Sequence, residues 1–291
     1  MKKLIDENLV KNLIESGFPK YSNLSITPVK QQGHDNRTFH LGNEMLIRVP
    51  SSKRYAKKVS KEQEWLPKIS PNVSFKIPKP IHIGKPSKDY PYNWSIYEWI
   101  PGESLNLLPK DKVNLEEVAK KLAKFIKELH KIDVSGAPKA GKSTFYRGCS
   151  PKFYDDDTRN YLDKLRNIID YPKALKIWEN AINSEWEKNP VWIHGDLAIG
   201  NILIKDNKVN AIIDFSGMAI GDPACDIVLY WNLFDKGSKD IFRSELDLDK
   251  DTWNRARGWA LWKASFEIIN SENKSSDSYI SWVKIIQNII G

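Results

Sequence analysis
The chain has 291 residues, 41% of them hydrophobic, and 45 Lys and Arg against 37 Asp and Glu give a net charge of +8. That length suits one large domain or two lobes sharing a cleft, with apolar material enough for a sizeable core. No apolar run approaches the roughly 20 residues that span a bilayer, so no membrane partner is expected. At the amino end Asp6 and Glu7 follow closely on two lysines, without the apolar stretch or small-residue cleavage site of a secretory signal. Cys149 and Cys225 lie far apart and form neither a disulfide framework nor a zinc pattern, so a reducing, cytoplasmic setting is expected. The positive charge is scattered over residues such as Lys57, Lys58, Lys120, Lys121, Lys124 and Lys127, which read as solvated helix faces. Nucleic acid is therefore not expected as a partner either.

Taken in chain order, Asp6 is placed to cap a first helix with Leu9, Val10, Leu13 and Ile14 on one face, stopped by Gly17 and Pro19. Residues 24–30 read as a strand, 31–36 as a turn and 37–41 as a second strand. Gly42 and Asn43 make a hairpin turn into a third strand over 44–49, which carries one cation, Arg48, among apolar residues. Ser60 and Gln63 have the spacing of a capping box, predicting a helix from Ser60 that carries Glu62 and Glu64. A proline-rich extended stretch, 71–80, leads to a strand at 81–84. His82, without ligand partners nearby, reads as structural. Residues 94–100 alternate as a strand and run into a turn at Pro101 and Gly102.

Residues 114–131 give the clearest helix. Leu115, Val118, Leu122, Phe125, Ile126 and Leu129 form its stripe, Asn114 and Glu117 resemble a capping box, and His130 complements the dipole at its end. Gly136 to Ser143 spells G-x-x-x-x-G-K-S. A phosphate-binding loop of that spelling must follow a strand and open a helix. Here a helix end precedes it, and Gly148 and Pro151 interrupt the residues after it, so the match reads as coincidence. Two helices are expected over 153–169 and 172–187. Asp155, Asp156 and Asp157 at the first of these either cap it or face a cationic substrate. Asp235 opens a slightly acidic segment, 235–251, that could rim a site for an amine-rich ligand or be a solvated loop. Trp253, Trp259, Trp262 and Trp282 are expected to pack the core, with stacking of one of them on a substrate ring as the alternative.

The most informative stretch is 191–226. Val191-Trp192-Ile193 reads as a short buried strand and leads into His194-Gly195-Asp196. Five residues after Asp196 comes Asn201, which opens the run Ile202-Leu203-Ile204, and a third run, Ala211-Ile212-Ile213, ends on Asp214. Phosphoryl transfer needs such a set: a carboxylate to orient or deprotonate the attacking hydroxyl, and an amide oxygen with a second carboxylate to hold Mg2+ on the nucleotide phosphates. The kinase pattern H-R-D-x-x-x-x-N followed by D-F-G has the same spacing logic, with Gly195 here in place of Arg and Ser216 in place of Gly. The form H-G-D-x-x-x-x-N, then I-D-F, then G-D-P-x-x-D at 221–226 resembles the aminoglycoside phosphotransferase family, the small-molecule branch of the kinase superfamily.

That resemblance implies a two-lobed, protein-kinase-like α+β fold: an N-terminal nucleotide-binding lobe of mostly antiparallel sheet (1–100) and a larger, mainly helical catalytic and substrate-binding lobe (101–291). It implies transfer of the γ-phosphoryl of ATP or GTP, with Mg2+, to a hydroxyl of a small, cationic molecule, above all an aminoglycoside. Another small-molecule kinase of this fold (for a macrolide, sugar, choline or homoserine) and a non-catalytic nucleotide-binding module stand as alternatives. Residue by residue, Asp196 takes the place of the catalytic carboxylate, and Asn201 and Asp214 those of the metal ligands. His194 and Asp226 would support the catalytic loop. Arg48 stands where the family's phosphate-binding Lys is usual, with Glu62 preferred over Glu64 as its partner; a solvent-facing Arg is the plain alternative. The turn at Gly33 would cover the phosphates, and the backbone from Glu98 to Ile100 would meet the base.

Overall fold
The computed structural model describes residues 5–30, 32–33, 35–109 and 112–291. Gln31 and His34 of the expected first turn lie outside the described residues. The chain divides into two compact units, Met1–Gly102 with Asn210–Ser216, and Glu103–Val209 with Gly217–Gly291. Among the described residues no helix is long and apolar enough to cross a membrane.

The first unit is built on a five-stranded antiparallel sheet. Its strands are β1 (Ile26–Pro28), β2 (Asn36–Leu41), β3 (Met45–Pro50), β4 (Pro80–Gly84) and β5 (Trp94–Glu98), in the order β1-β2-β3-β5-β4. The turn at Gly42, with φ of 61°, closes the β2–β3 hairpin, in which Leu41 pairs with Met45. Helix α1 (Glu7–Gly17) begins as expected, the Asp6 carboxylate accepting from the Leu9 N–H at 2.9 Å. Its Leu9, Val10, Leu13 and Ile14 pack with Phe39, Leu41, Ile47, Val49, Trp94 and Ile96 from the sheet. Because successive strand residues face opposite sides, Arg48 and Tyr97 are turned away from that core.

On the side to which they turn stands α2 (Lys53–Ile69), which corrects the sequence reading. The helix starts seven residues before Ser60, so Ser60 and Gln63 form no capping box. Gln63 instead donates its side-chain N–H to the His82 carbonyl at 3.1 Å and to Ser95 Oγ at 3.1 Å. The buried positions Val59, Glu62, Leu66 and Ile69 recur at helical spacing. The turns ahead of Val59 are rich in Lys and Arg, good helix formers that carry no apolar period to read. His82 is structural, its Nε2 3.0 Å from the Tyr21 hydroxyl and its ring stacked on Phe18. In segment 210–216, the Ile212 N–H donates to the Lys76 carbonyl at 3.0 Å and the Asn210 amide to the Pro101 carbonyl at 2.7 Å.

In the second unit β6 (Glu103–Ser104) pairs with β8 (Ile202–Lys205), and β7 (Val191–Ile193) with β10 (Ala219–Gly221), both antiparallel; β9 (Lys208–Ile212) carries the chain on from this unit to segment 210–216. The helices are α3 (Leu115–His130), α4 (Asp155–Lys164), α5 (Tyr171–Ile182), α6 (Leu229–Asn232), α7 (Lys236–Glu245), α8 (Lys250–Ile269) and α9 (Asp277–Ile290). Asn114 caps α3 by accepting from the Glu117 N–H at 3.0 Å. Helix α8 buries residues on most of its faces, among them Trp253, Ala256, Trp259, Leu261 and Trp262. Its Arg255 is 1% exposed and donates to Asp222 at 2.7 Å. The stretch spelling G-x-x-x-x-G-K-S opens only a three-residue turn, Lys142–Thr144, so it is not the phosphate loop of a strand–loop–helix unit. His130 does not serve the helix dipole: burial pushes its imidazole down to about 4, so it is neutral.

Candidate functional site
In the first unit, Arg48 is clasped by two carboxylates. One terminal nitrogen donates to Glu62 Oε2 at 3.0 Å and the other to Asp214 Oδ1 at 3.2 Å. Glu62 is 4% exposed and also accepts from the Tyr97 hydroxyl at 2.6 Å. Glu64 is on the surface with Lys68. Burial alone would weaken the Arg48 guanidinium's hold on its proton, but the charges of Glu62 and Asp214 raise its pKa on balance. The Tyr97 phenol is pushed well up, first by burial and then by Glu62. A planar fork suits this arrangement, because two separate nitrogens serve two acids at once.

Asp214 has φ of 63°, uncommon for a non-glycine residue, while the next residue, Phe215, is buried. Ser216 then anchors the segment to α2: Lys61 Nζ donates to its carbonyl at 2.9 Å and Lys58 Nζ approaches its hydroxyl at 3.4 Å. Lys58, read from sequence as solvated, is instead largely buried and pairs with Asp35 at 2.8 Å. Burial lowers the Lys61 ammonium to about 8. Sequence reasoning misses Lys58 because it starts the helix too late, and Lys61 because its contact with Ser216 is distant in sequence. Gly33 is exposed, and its carbonyl accepts from Arg37 at 2.9 Å. At the expected base-binding strand end, the Glu98 side chain pairs with Lys79, and the N–H groups of Glu98 and Trp99 donate to the carbonyls of Lys79 and Glu44. Ile100 comes next, half-buried.

In the second unit, β7 delivers the chain into the loop His194-Gly195-Asp196. Asp226 is fully buried and accepts from the backbone N–H of His194 at 2.5 Å and of Gly195 at 2.9 Å. Burial raises the Asp226 carboxyl, and these two bonds with the nearby His194 oppose the rise. Gly195 has φ of 80°, and a Cβ there would run into the Gly217 carbonyl, so the position that holds Arg in the protein-kinase pattern is closed to side chains here. The His194 ring is buried and its Nδ1 accepts from the Asp196 N–H at 3.2 Å. The Asn201 amide nitrogen donates to the Asp196 carbonyl at 2.9 Å, closing the loop and leaving its side-chain oxygen as the atom available for a cation. The exposed Asp196 carboxylate is thus held through its backbone on both sides.

Asp196 lines a cavity of about 670 Å³ that lies wholly within this unit. The acids for which sequence leaves open either a structural role or a cationic substrate do not line it. Asp155 accepts from Arg159 and from the Trp178 ring N–H, both at 2.7 Å, which ties it into the packing of α4 and α5. Asp156 and Asp157 are exposed on the first turn of α4. Asp235 caps α7, accepting from the Ser238 N–H at 3.0 Å. Trp259, Trp262 and Trp282 do line the cavity, with Asn232, Arg147, Lys263 and Glu267, none of which the sequence motifs single out for a site beyond the general remark on tryptophans.

A model of the APH, phosphotransferase enzyme family matches residues 25–259. Over 132 residues the chain is 27% identical to the uncharacterized protein YcbJ of Bacillus subtilis (strain 168), a match covering 44% of this chain and 41% of that protein. The chain thus spans about two fifths of the length of that curated relative. Among solved structures it resembles the GDP and kanamycin complex of APH(2")-IIia, with a TM-score of 0.71 and 20% identity over 96% of this chain and 97% of that one. It also resembles macrolide 2'-phosphotransferase MphH from Brachybacterium faecium, with a TM-score of 0.60 and 16% identity over 97% and 98%. At these identities the likeness is one of fold: the α+β, protein-kinase-like fold.

Proposed function
Because the chain belongs to the phosphotransferase enzyme family, we propose that it transfers the γ-phosphoryl group of ATP or GTP to a hydroxyl of a small molecule. The acceptor oxygen forms a bond to the γ-phosphorus while the bond from that phosphorus to the β,γ-bridging oxygen breaks and the nucleoside diphosphate leaves. The hydroxyl proton passes to the Asp196 carboxylate and from there to water. Arg48, fixed by Glu62, binds phosphate. Asn201 supplies an amide oxygen and Asp214 a carboxylate oxygen, hard donors of the kind Mg2+ takes alongside phosphate oxygens. Mg2+ when bound neutralises phosphate charge; positioning by the protein supplies much of the rest. The observation that carries this reading is the Asp226 clamp on His194 and Gly195, which presents Asp196 at the wall of a ligand-sized cavity.

An aminoglycoside is the acceptor that the sequence resemblance implies, and kanamycin in one neighbour supports it. A macrolide enzyme is also a neighbour in fold, and Asp155, Asp156, Asp157 and Asp235, acids that would hold a polyamine, are not among the residues of the cavity wall. The roles separate by mutation. Asp214→Ala should weaken Mg2+-dependent nucleotide binding by at least about tenfold, having lost one of two or three charged contacts. Asp196→Ala should leave that binding nearly intact and lower kcat by roughly 10²–10⁴. Calorimetric titration with Mg-nucleotide reads the first and turnover the second. Equal loss of nucleotide affinity in both variants would contradict the division of roles.

A further inference from the structure
Lys58, Lys61 and Glu62 stand on α2 at helical i, i+3 and i+4 spacing and so share one face. Glu62 holds Arg48 at 3.0 Å. Lys61 Nζ donates to the Ser216 carbonyl at 2.9 Å, and Lys58 Nζ donates to Asp35 at 2.8 Å and approaches the Ser216 hydroxyl at 3.4 Å. One helix face thus reaches Arg48, the turn before β2 and the segment 214–216, all within the first unit. Burying an ammonium such as that of Lys61 is costly unless a polar partner compensates. Its pKa falls to about 8 through burial, with Glu62 opposing the fall and Lys58 adding to it.

The partner of Lys61 lies two residues beyond Asp214, whose φ of 63° falls in the left-handed region. A non-glycine residue keeps such a conformation only where its surroundings over-determine it. After Asp214 the chain is closely held: Phe215 and Ser216 are both buried. The Arg48 ion pair acts at the Asp214 carboxylate. The Lys61 bond acts on the main chain, and so restrains the backbone that sets where the carboxylate points.

We propose that Lys61 is a positioning residue for the Mg2+ ligand Asp214: by holding the Ser216 carbonyl it fixes segment 214–216 so that the Asp214 carboxylate is preorganised for the ion. Groups that orient metal ligands commonly matter nearly as much as the ligands themselves. Lys61 carries the same sign of charge as Mg2+, so the alternatives differ in direction. A purely electrostatic role predicts that losing the ammonium favours the ion. A phosphate-binding role predicts weaker nucleotide binding with or without the ion. Only positioning predicts a loss confined to nucleotide with Mg2+. This rests on the phosphotransferase reading for the part played by Asp214.

Calorimetric titrations of the intact protein with ATP and with GTP, each in excess Mg2+ and in EDTA, test it. Lys61→Met keeps the apolar stem and removes the donor. It should weaken nucleotide binding about tenfold in Mg2+ and less than about twofold in EDTA. Lys61→Arg retains a donor for the Ser216 carbonyl and should return to within about threefold of wild type in Mg2+. Lys57→Met, at an exposed position of the same helix, should match wild type within about twofold in both conditions. If circular dichroism shows Lys61→Met to be poorly folded, Lys61→Gln, shorter and uncharged, should show the same Mg2+-dependent loss. Equal losses in Mg2+ and EDTA, tighter binding in Mg2+, or no change in Mg2+ would each overturn the role given to Lys61 and leave the phosphotransferase reading standing. Wild-type protein that binds neither nucleotide better in Mg2+ than in EDTA would break that reading itself, and the role of Lys61 with it.

Discussion

Replacing Arg48 by Met tests whether the clasped guanidinium is as central as its geometry indicates. The Arg48 side chain is 14% exposed and that of Glu62 5%. Asp214, the other partner, is 36% exposed. Water can take over at Asp214, where screening makes the lost pair worth little. It cannot reach Glu62, and removing one partner of a buried pair costs about 3–5 kcal/mol because the remaining charge is uncompensated. For a chain of this size each kcal/mol corresponds to roughly 2–4 °C, so Arg48→Met should melt roughly 6–20 °C below wild type. Adding Glu62→Gln removes the stranded charge while keeping an oxygen for the Tyr97 hydroxyl, which bonds Glu62 at 2.6 Å in the native chain. The double variant should therefore recover about half of the loss while still binding Mg-nucleotide poorly. Circular dichroism melts and urea titrations of the three variants read this directly. An Arg48→Met protein within about 1 kcal/mol of wild type, or a double variant no more stable than Arg48→Met, would refute the buried-charge argument.

Two further perturbations concern the loop and a buried histidine. Gly195→Ala forces a side chain onto a φ of 80° and against the Gly217 carbonyl. It should cost about 1–3 kcal/mol in urea unfolding and lower kcat at least about tenfold by displacing Asp196; unchanged turnover would show that the loop tolerates a Cβ. His130 titrates at about 4 in the fold because it is buried, against an ordinary value of about 6.5. The unfolded chain therefore takes up its proton first as pH falls. The stabilisation is complete above about pH 6.5 and is lost towards pH 4, by about 3 kcal/mol in total. His130→Gln should flatten that part of the pH dependence in urea midpoints measured between pH 7 and 4.5, and an unaltered slope would count against it.

What sequence can and cannot show divides along physical lines. Local rules are legible: the Asp6 cap, the α1 and α3 apolar stripes and the hairpin at Gly42 depend on near neighbours in the chain, and the structure has each of them. The preference for Glu62 over Glu64 rests on the family resemblance alone, and in the structure it is Glu62 that lies on the buried face of α2. The start of α2 is not legible, because its first turns bury little and Ser60 with Gln63 happens to spell a cap. Consequently Lys58 passes for a solvated lysine; the anchoring of Ser216 by Lys61 goes unseen because it joins residues far apart in the chain. The acids at 155–157 and 235 carry the right charge for an amine-rich substrate. Only tertiary contacts show that Asp155 is tied to Arg159 and Trp178 and that Asp235 caps a helix. Trp259 and Asn232 have no motif at all; only tertiary packing brings them to the lining of one cavity.

The central claim is that Asp196 serves phosphoryl transfer to a small-molecule hydroxyl. Its most direct test is transfer from γ-labelled ATP and GTP to a panel holding erythromycin and kanamycin, with wild-type and Asp196→Ala protein side by side. The account predicts a labelled acceptor with wild type and a loss of roughly 10²–10⁴ in rate with the variant. Near-normal labelling by Asp196→Ala, or Mg-nucleotide binding with no turnover by wild type on any acceptor, would contradict it.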